Sequence, residues 1–104
     1  MEPTKKDWKI FREKISGWQE SYMERLVKEY VKYLESDIPA SMKFWEMEKK
    51  IKNDKRTPGV RIELKKSSMV WDIVQLIRDG VITLNELDGF SEELVTTVEF
   101  LANR

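Results

Sequence analysis

Large apolar residues recur along the first third of the chain at Trp8, Phe11, Ile15, Trp18, Tyr22, Leu26, Tyr30 and Tyr33/Leu34. The steps between them are threes and fours, the period of one face of an α-helix. This spacing predicts a helix over about residues 4–35. The first steps follow a heptad seam, and the steps of four after Tyr22 leave that register. A second apolar row, Met23, Val27 and Val31, widens the face in the C-terminal half. Ser16-Gly17 weakens the helix locally without ending it. At 1.5 Å per residue such a helix is roughly 45–50 Å long, against roughly 30 Å for a compact domain of this size. Part of it must overhang the core. Placing the overhang at the N-terminal end leaves Trp8, Phe11, Ile15 and Trp18 in need of cover, which makes them the candidate self-interface.

Ser36-Asp37-Ile38-Pro39 breaks the pattern, with Asp37 as the expected N-cap and Pro39 in the first turn of a second helix. That helix is predicted over about 39–54, antiparallel to the first because the connection is short. Its apolar set is Met42, Phe44, Trp45, Met47 and Ile51, with Trp45 expected in the core. Glu46–Lys50 and Glu48–Lys52 are supporting i, i+4 pairs. Thr57-Pro58-Gly59 ends it. Val60, Ile62 and Leu64 alternate with Arg61, Glu63 and Lys65, a strand period without a second strand to pair with. Residues 57–66 are therefore read as an extended connector, with an intermolecular ribbon as the alternative.

Ser67-Ser68 is the expected cap of a third helix over about 69–78. It is apolar nearly all round, Trp71 included, and so is expected at the centre of the fold. Asp79-Gly80 closes it. Thr83-Leu84-Asn85-Glu86 has the form of a capping box, with Ile82 and Leu87 as its hydrophobic staple, opening a short helix at about 84–88. Ser91 caps a last helix over about 92–103, with Phe90 and Val95 as its staple. The result is an all-α chain, one domain over residues 1–104: an antiparallel hairpin led by a long N-terminal helix, a connector, and a subdomain of short helices.

Composition narrows the chemistry. The 104 residues contain no Cys and no His, which removes disulfides, thiolate metal sites and the commonest general base. Neither a metal nor a cofactor is expected. No stretch is long and apolar enough to span a membrane, and the first residues lack a signal peptide's apolar segment, so the expected location is the cytoplasm. Aligning Gly80 with the sixth position of an EF-hand loop puts Gln75 and Ile77 at the first and third, where carboxylates are needed, so calcium is not expected. The same stretch resembles the structural turns of helix–turn–helix hairpins in short bacterial C-terminal modules. Glu92-Glu93 belongs to a helix first turn, where the dipole favours it. No pair of carboxylates converges, and no enzymatic activity is expected.

The net charge is zero but unevenly spread: residues 43–66 carry nine basic and four acidic groups, and residues 67–104 two basic and seven acidic. Lys49, Lys50, Lys52, Lys55, Arg56 and Arg61 are candidate anion or nucleic-acid contacts. The competing reading makes them a solvated helix face, neutralised by the acidic segment within the fold or across an interface, and it is preferred because the whole chain is not basic.

Trp18-Gln19-Glu20 with Tyr22-Met23, the run from Phe44-Trp45 to Asp54-Lys55, Pro58-Gly59-Val60, and Leu76 through Ser91 together resemble a family of small uncharacterised proteins of Gram-positive bacteria, over most of the chain. Members sometimes carry a multidrug-transporter label, which a chain without a membrane span does not fit by itself. The resemblance implies a bacterial cytoplasmic helical protein and no particular activity. The expected function is thus a non-enzymatic interaction protein, a homodimer joined through the N-terminal helix or a binder of another protein. A nucleic-acid-associated regulator using the basic segment is the alternative.

Overall fold

A computed structural model describes residues 1–103; Arg104, the last residue of the expected domain, lies outside them. The described residues are all-helical, with four α-helices, two 3₁₀ turns and no strand. The α-helices are α1 (Lys5–Leu34), α2 (Ala40–Asp54), α3 (Met69–Arg78) and α4 (Glu92–Ala102), and the 3₁₀ turns are Lys66–Ser68 and Leu84–Leu87.

Local chemistry sets most of the boundaries. The Thr4 hydroxyl accepts the Asp7 N–H at 3.0 Å and the Asp7 carboxylate accepts the Thr4 N–H at 3.3 Å, so α1 opens on a reciprocal cap. Gly17 passes through the helix with open space around it. Gly80, at φ +73°, ends α3. Its N–H donates to Ile77 O at 3.0 Å and the Val81 N–H to Leu76 O at 2.9 Å, the Schellman pattern. The Glu86 carboxylate accepts the Thr83 N–H at 2.7 Å, as the capping-box pattern requires, but the turn it opens is 3₁₀ and only Leu84–Leu87 long. Ser91 caps α4, its Oγ accepting the Leu94 N–H at 3.3 Å.

Two expected caps are not made. Asp37 does not cap α2, because the helix starts at Ala40 and Pro39 takes the cap position without a side-chain bond. The Ser68 hydroxyl turns to the Asp72 carboxylate at 3.1 Å, and Lys66–Ser68 forms a 3₁₀ turn that feeds straight into α3. The alternating residues 60–65 form no strand: Ile62 packs against the core while Leu64 stays exposed. Alternation describes a side-chain pattern, and a strand also needs a partner for its backbone groups.

The core joins the first half of α1 to the C-terminal subdomain. Phe11 and Ile15 are buried among Met69, Ile73, Val74, Leu76, Leu87, Leu94 and Val98, with Trp8, Trp18 and Tyr22 at its margin. The expected overhang exists at the opposite end of the helix. The radius of gyration is 16.3 Å and the extents are 51 × 23 × 19 Å, against about 13 Å for the radius of a compact chain of this length. What protrudes is the second half of α1 together with α2, and α2 buries no residue at all. Burial falls where the largest apolar side chains are densest, at Trp8 to Trp18. Trp45 and Trp71, expected in the core, are 63% and 59% exposed. Trp45 rides on the unburied α2, and α3 is buried along Met69, Val70, Ile73, Val74 and Leu76, a set that leaves Trp71 outside.

Side chains of α1 tie the connections down through carbonyls: Gln19 to Pro58 O at 2.9 Å, Arg25 to Val81 O at 2.9 Å and Lys14 to Asp88 O at 3.1 Å. Gly59 sits where the connector crosses α1. A Cβ there would stand 2.5 Å from the Tyr22 ring and 2.7 Å from Val81 Cγ2. Gly59→Ala is expected to cost about 1–3 kcal/mol through overpacking, read as a lower denaturation midpoint with unchanged helicity, whereas Gly17→Ala, in open space, is expected to stabilise.

Candidate interaction surface on the helical arm

The arm is held together by polar bonds rather than by a core. The Tyr30 hydroxyl donates to the Asp54 carboxylate, and the Tyr33 hydroxyl to Met42 O at 3.4 Å. The Lys50 ammonium lies 5.0 Å from the centre of the Tyr33 ring. Burial, with the Asp54 carboxylate as acceptor and neighbouring charge, pushes the Tyr30 hydroxyl far above its ordinary pKa. It therefore stays a neutral donor throughout the usual pH range.

The seam divides the arm into two faces. On one, Leu26, Glu29 and Tyr30 meet Lys50, Asn53 and Asp54 around a small depression. Nearer the tip, Tyr33 and Ile38 border a groove with Met42, Trp45 and Lys49. On the opposite face α1 shows Val27, Val31 and Leu34, at 54%, 47% and 44% exposure. These three are spaced four and three apart and lie in one row. Across the seam α2 shows Phe44 and Ile51, two turns apart, at 65% and 42%. Helix handedness puts these two rows on the same side, because the residues of both helices that line the other side are accounted for in the depression and groove. Five large apolar side chains are thus exposed on the two helices of the arm.

The candidate self-interface is placed differently from this strip. Phe11 is 0% and Ile15 4% exposed, both inside the core of the chain. Trp8 and Trp18 flank Phe11 with ring centres 6.2 Å away on either side, and Trp18 stacks on Phe90 at 6.4 Å. These four residues are covered largely by the chain's own C-terminal subdomain, which answers the need that pointed to a partner. The candidate cations are scattered. Lys49, Lys52, Lys55, Arg56 and Arg61 are exposed and Lys50 is half-buried against Tyr33. At 100° per residue, positions 49, 50, 52 and 55 spread round α2 and line no single face. The acidic C-terminal segment does not neutralise them within the fold, since the one ion pair among the described residues is Lys65–Glu63 at 3.4 Å.

Among the described residues no cluster of carboxylates could hold a metal ion, and no helix is long and apolar enough to cross a membrane. Comparison of the chain with known protein families, with curated proteins and with solved structures finds no match.

The strip was only partly visible in the sequence. The Met23, Val27, Val31 row read as a widened buried face, whereas Val27 and Val31 are half-exposed. The signal that α2 is not a core helix is that its apolar residues fall on two sides, Met42 and Trp45 on one and Phe44 and Ile51 on the other. A single inward stripe does not result. Thr4-x-x-Asp7 has the spacing of a capping box, a local signal the sequence reading did not use, whereas the bonds of Asp7 to Ser91 are tertiary.

Proposed function

We propose that the protein is a non-enzymatic helical interaction protein that self-associates through the antiparallel arm of α1 and α2. The observation that carries this reading is the unburied α2 with its exposed apolar strip. Val27, Val31, Leu34, Phe44 and Ile51 together leave roughly 500 Å² of apolar surface to water, near the upper end for a monomer's largest patch. Two copies mating this strip would bury about 1,000 Å² in total, where specific interfaces begin. A net charge of zero offers no long-range repulsion between copies. This keeps the self-association expected of the N-terminal helix and moves it from Trp8 and Phe11 to the helix's second half.

The test is absolute mass in solution by light scattering over a range of chain concentrations. The wild-type chain is expected at twice its 12.4 kDa. Phe44→Asp and Val31→Asp, each placing a charge in the strip, are expected at the single-chain mass with unchanged helicity. A wild-type chain that stays monomeric at every concentration refutes the proposal, and a dimer indifferent to both substitutions removes the arm from it.

A further inference from the structure

We infer that α2 is a flap that opens from α1 by local unfolding while the core stays folded, with the Tyr30–Asp54 bond as its latch. Phe44 and Ile51 ride on α2, so opening also dismantles the surface proposed for self-association; that second link rests on the self-association reading and adds its control.

Little within α2 holds it helical. It is 15 residues long, a length at which a helix alone in water is marginal. Pro39 caps it without a side-chain bond, and no acidic residue stands in its first turn to meet the helix dipole. Glu46–Lys50 and Glu48–Lys52 have the spacing of supporting pairs but do not close, since the one ion pair among the described residues is Lys65–Glu63. The other helices are better secured: α1 opens on the Thr4–Asp7 cap, α4 on Ser91, and α3 buries five residues where α2 buries none.

What keeps α2 in place is therefore its seam with α1, and that seam is mainly polar. Leu26 is the sole buried residue of α1 past Ile15. The Tyr33 hydroxyl reaches Met42 O at a long 3.4 Å, and the Lys50 ammonium faces the Tyr33 ring at 5.0 Å. The Tyr30 bond to Asp54 has a carboxylate as acceptor, and charge-assisted bonds are the strong ones.

The rest of the fold does not depend on α2. The core has no member from it. Past α2 the chain is pinned afresh to α1, by Gln19 on the Pro58 carbonyl at 2.9 Å and by Gly59 against the Tyr22 ring. Leu34 and Gln19 lie about 22 Å apart along α1. Released, residues 35–57 span that distance with slack, at up to about 3.3 Å per residue. The distal half of α1 needs no new nucleus, because it continues a helix anchored in the core at Phe11 and Ile15.

Hydrogen exchange on the Val31→Asp chain reads the opening without association. Amides of α2 are expected to show about 100-fold less protection than those of α3 and α4. Tyr30→Phe keeps the ring and removes the latch. Added to Val31→Asp, it is expected to speed α2 exchange about tenfold and leave α3 and α4 within about twofold. Glu48 is exposed in the middle of α2, where a proline disfavours the helix by about 100-fold. Added to Val31→Asp, Glu48→Pro is expected to lose the helicity of Ala40–Asp54 and keep the thermal midpoint of the core. In the otherwise wild-type chain it is expected to give the single-chain mass by light scattering. Equal protection in α2 and α3, or a fall of the whole chain's midpoint with Glu48→Pro, overturns the flap. Unchanged α2 exchange with Tyr30→Phe overturns the latch. A Glu48→Pro chain that still dimerises overturns the link to self-association. A wild-type chain that is monomeric at every concentration overturns self-association and that link together, while the exchange rates still decide the flap.

Discussion

Phe11→Ala is expected to destabilise the fold by about 3–5 kcal/mol, the cost of emptying a fully packed aromatic site. Phe11 is completely buried, lies between Trp8 and Trp18, and reaches the residues of α3 and α4 that close the core. Domains of this size hold about 5–15 kcal/mol in total, so the loss takes a large share of the stability. A drop of this size lowers the thermal midpoint by about 4–8 °C for each kcal/mol. Read from the sequence alone, Phe11 belongs to a self-interface, and its truncation should change the mass in solution and leave the chain folded. Thermal unfolding followed by tryptophan fluorescence, beside the mass, separates the two outcomes. A folded, fully stable Phe11→Ala chain would contradict the core described above.

Asp7→Ala is expected to cost about 2–4 kcal/mol, through the loss of bonds to a buried carboxylate. Asp7 is only 1% exposed. Its carboxylate accepts the Thr4 N–H at the start of α1, and the Ser91 N–H and hydroxyl, both at 2.8 Å, at the start of α4. One side chain thereby serves the N-termini of two helices, reaching Ser91 from 84 residues away in the chain. The Ser91 hydroxyl in turn accepts the Leu94 N–H, so the bonds form a relay from α1 into α4. Burial alone pushes the Asp7 carboxyl up, but the Ser91 and Thr4 hydrogen bonds outweigh it and hold the pKa below the ordinary 3.8. The stabilisation is therefore fully present above pH 3.8 and is lost as pH falls through the lower folded-state value, where the carboxylate protonates. Asp7→Asn keeps the shape and removes this titration. Its stability is expected to be lower than wild type near neutrality and to converge on it in acid. Denaturation midpoints measured from neutral pH down to about pH 2 check this, the sign being set by the depressed folded pKa. Parallel curves for the two chains would remove Asp7 from the pH dependence.

Where both partners of an interaction lie within a few residues, the structure was largely legible. The period of α1, the glycine stop at Gly80, the Thr83–Glu86 box and the Ser91 cap all depend on neighbours three to five positions away, and the sequence presents those neighbours together. Asp37 and Ser67-Ser68 show how even local signals fail when competition decides: Pro39 takes the cap position of α2, and Asp72 takes the Ser68 hydroxyl. The candidate site was less legible. Helix lengths and overall size gave the existence of an overhang but not its end, because a stripe of Trp and Phe reads alike as a core face and as an interface.

From the sequence by itself came an all-α chain, the positions of its four α-helices, the absence of thiol and imidazole chemistry, and a helix too long for its core. Each follows from covalent composition or from contacts within a turn or two. Tertiary structure alone decided which half of α1 the C-terminal helices cover, that Trp45 and Trp71 face outward, that Asp7 joins α1 to α4, and that the two apolar rows of the arm share a face. Those outcomes depend on which distant surfaces compete most successfully for burial, and on the geometry of two helices at a fixed register. The chain order does not contain that information locally: hydrophobic burial scales with area and carries no direction of its own, so the packing partner is settled only when the whole fold closes.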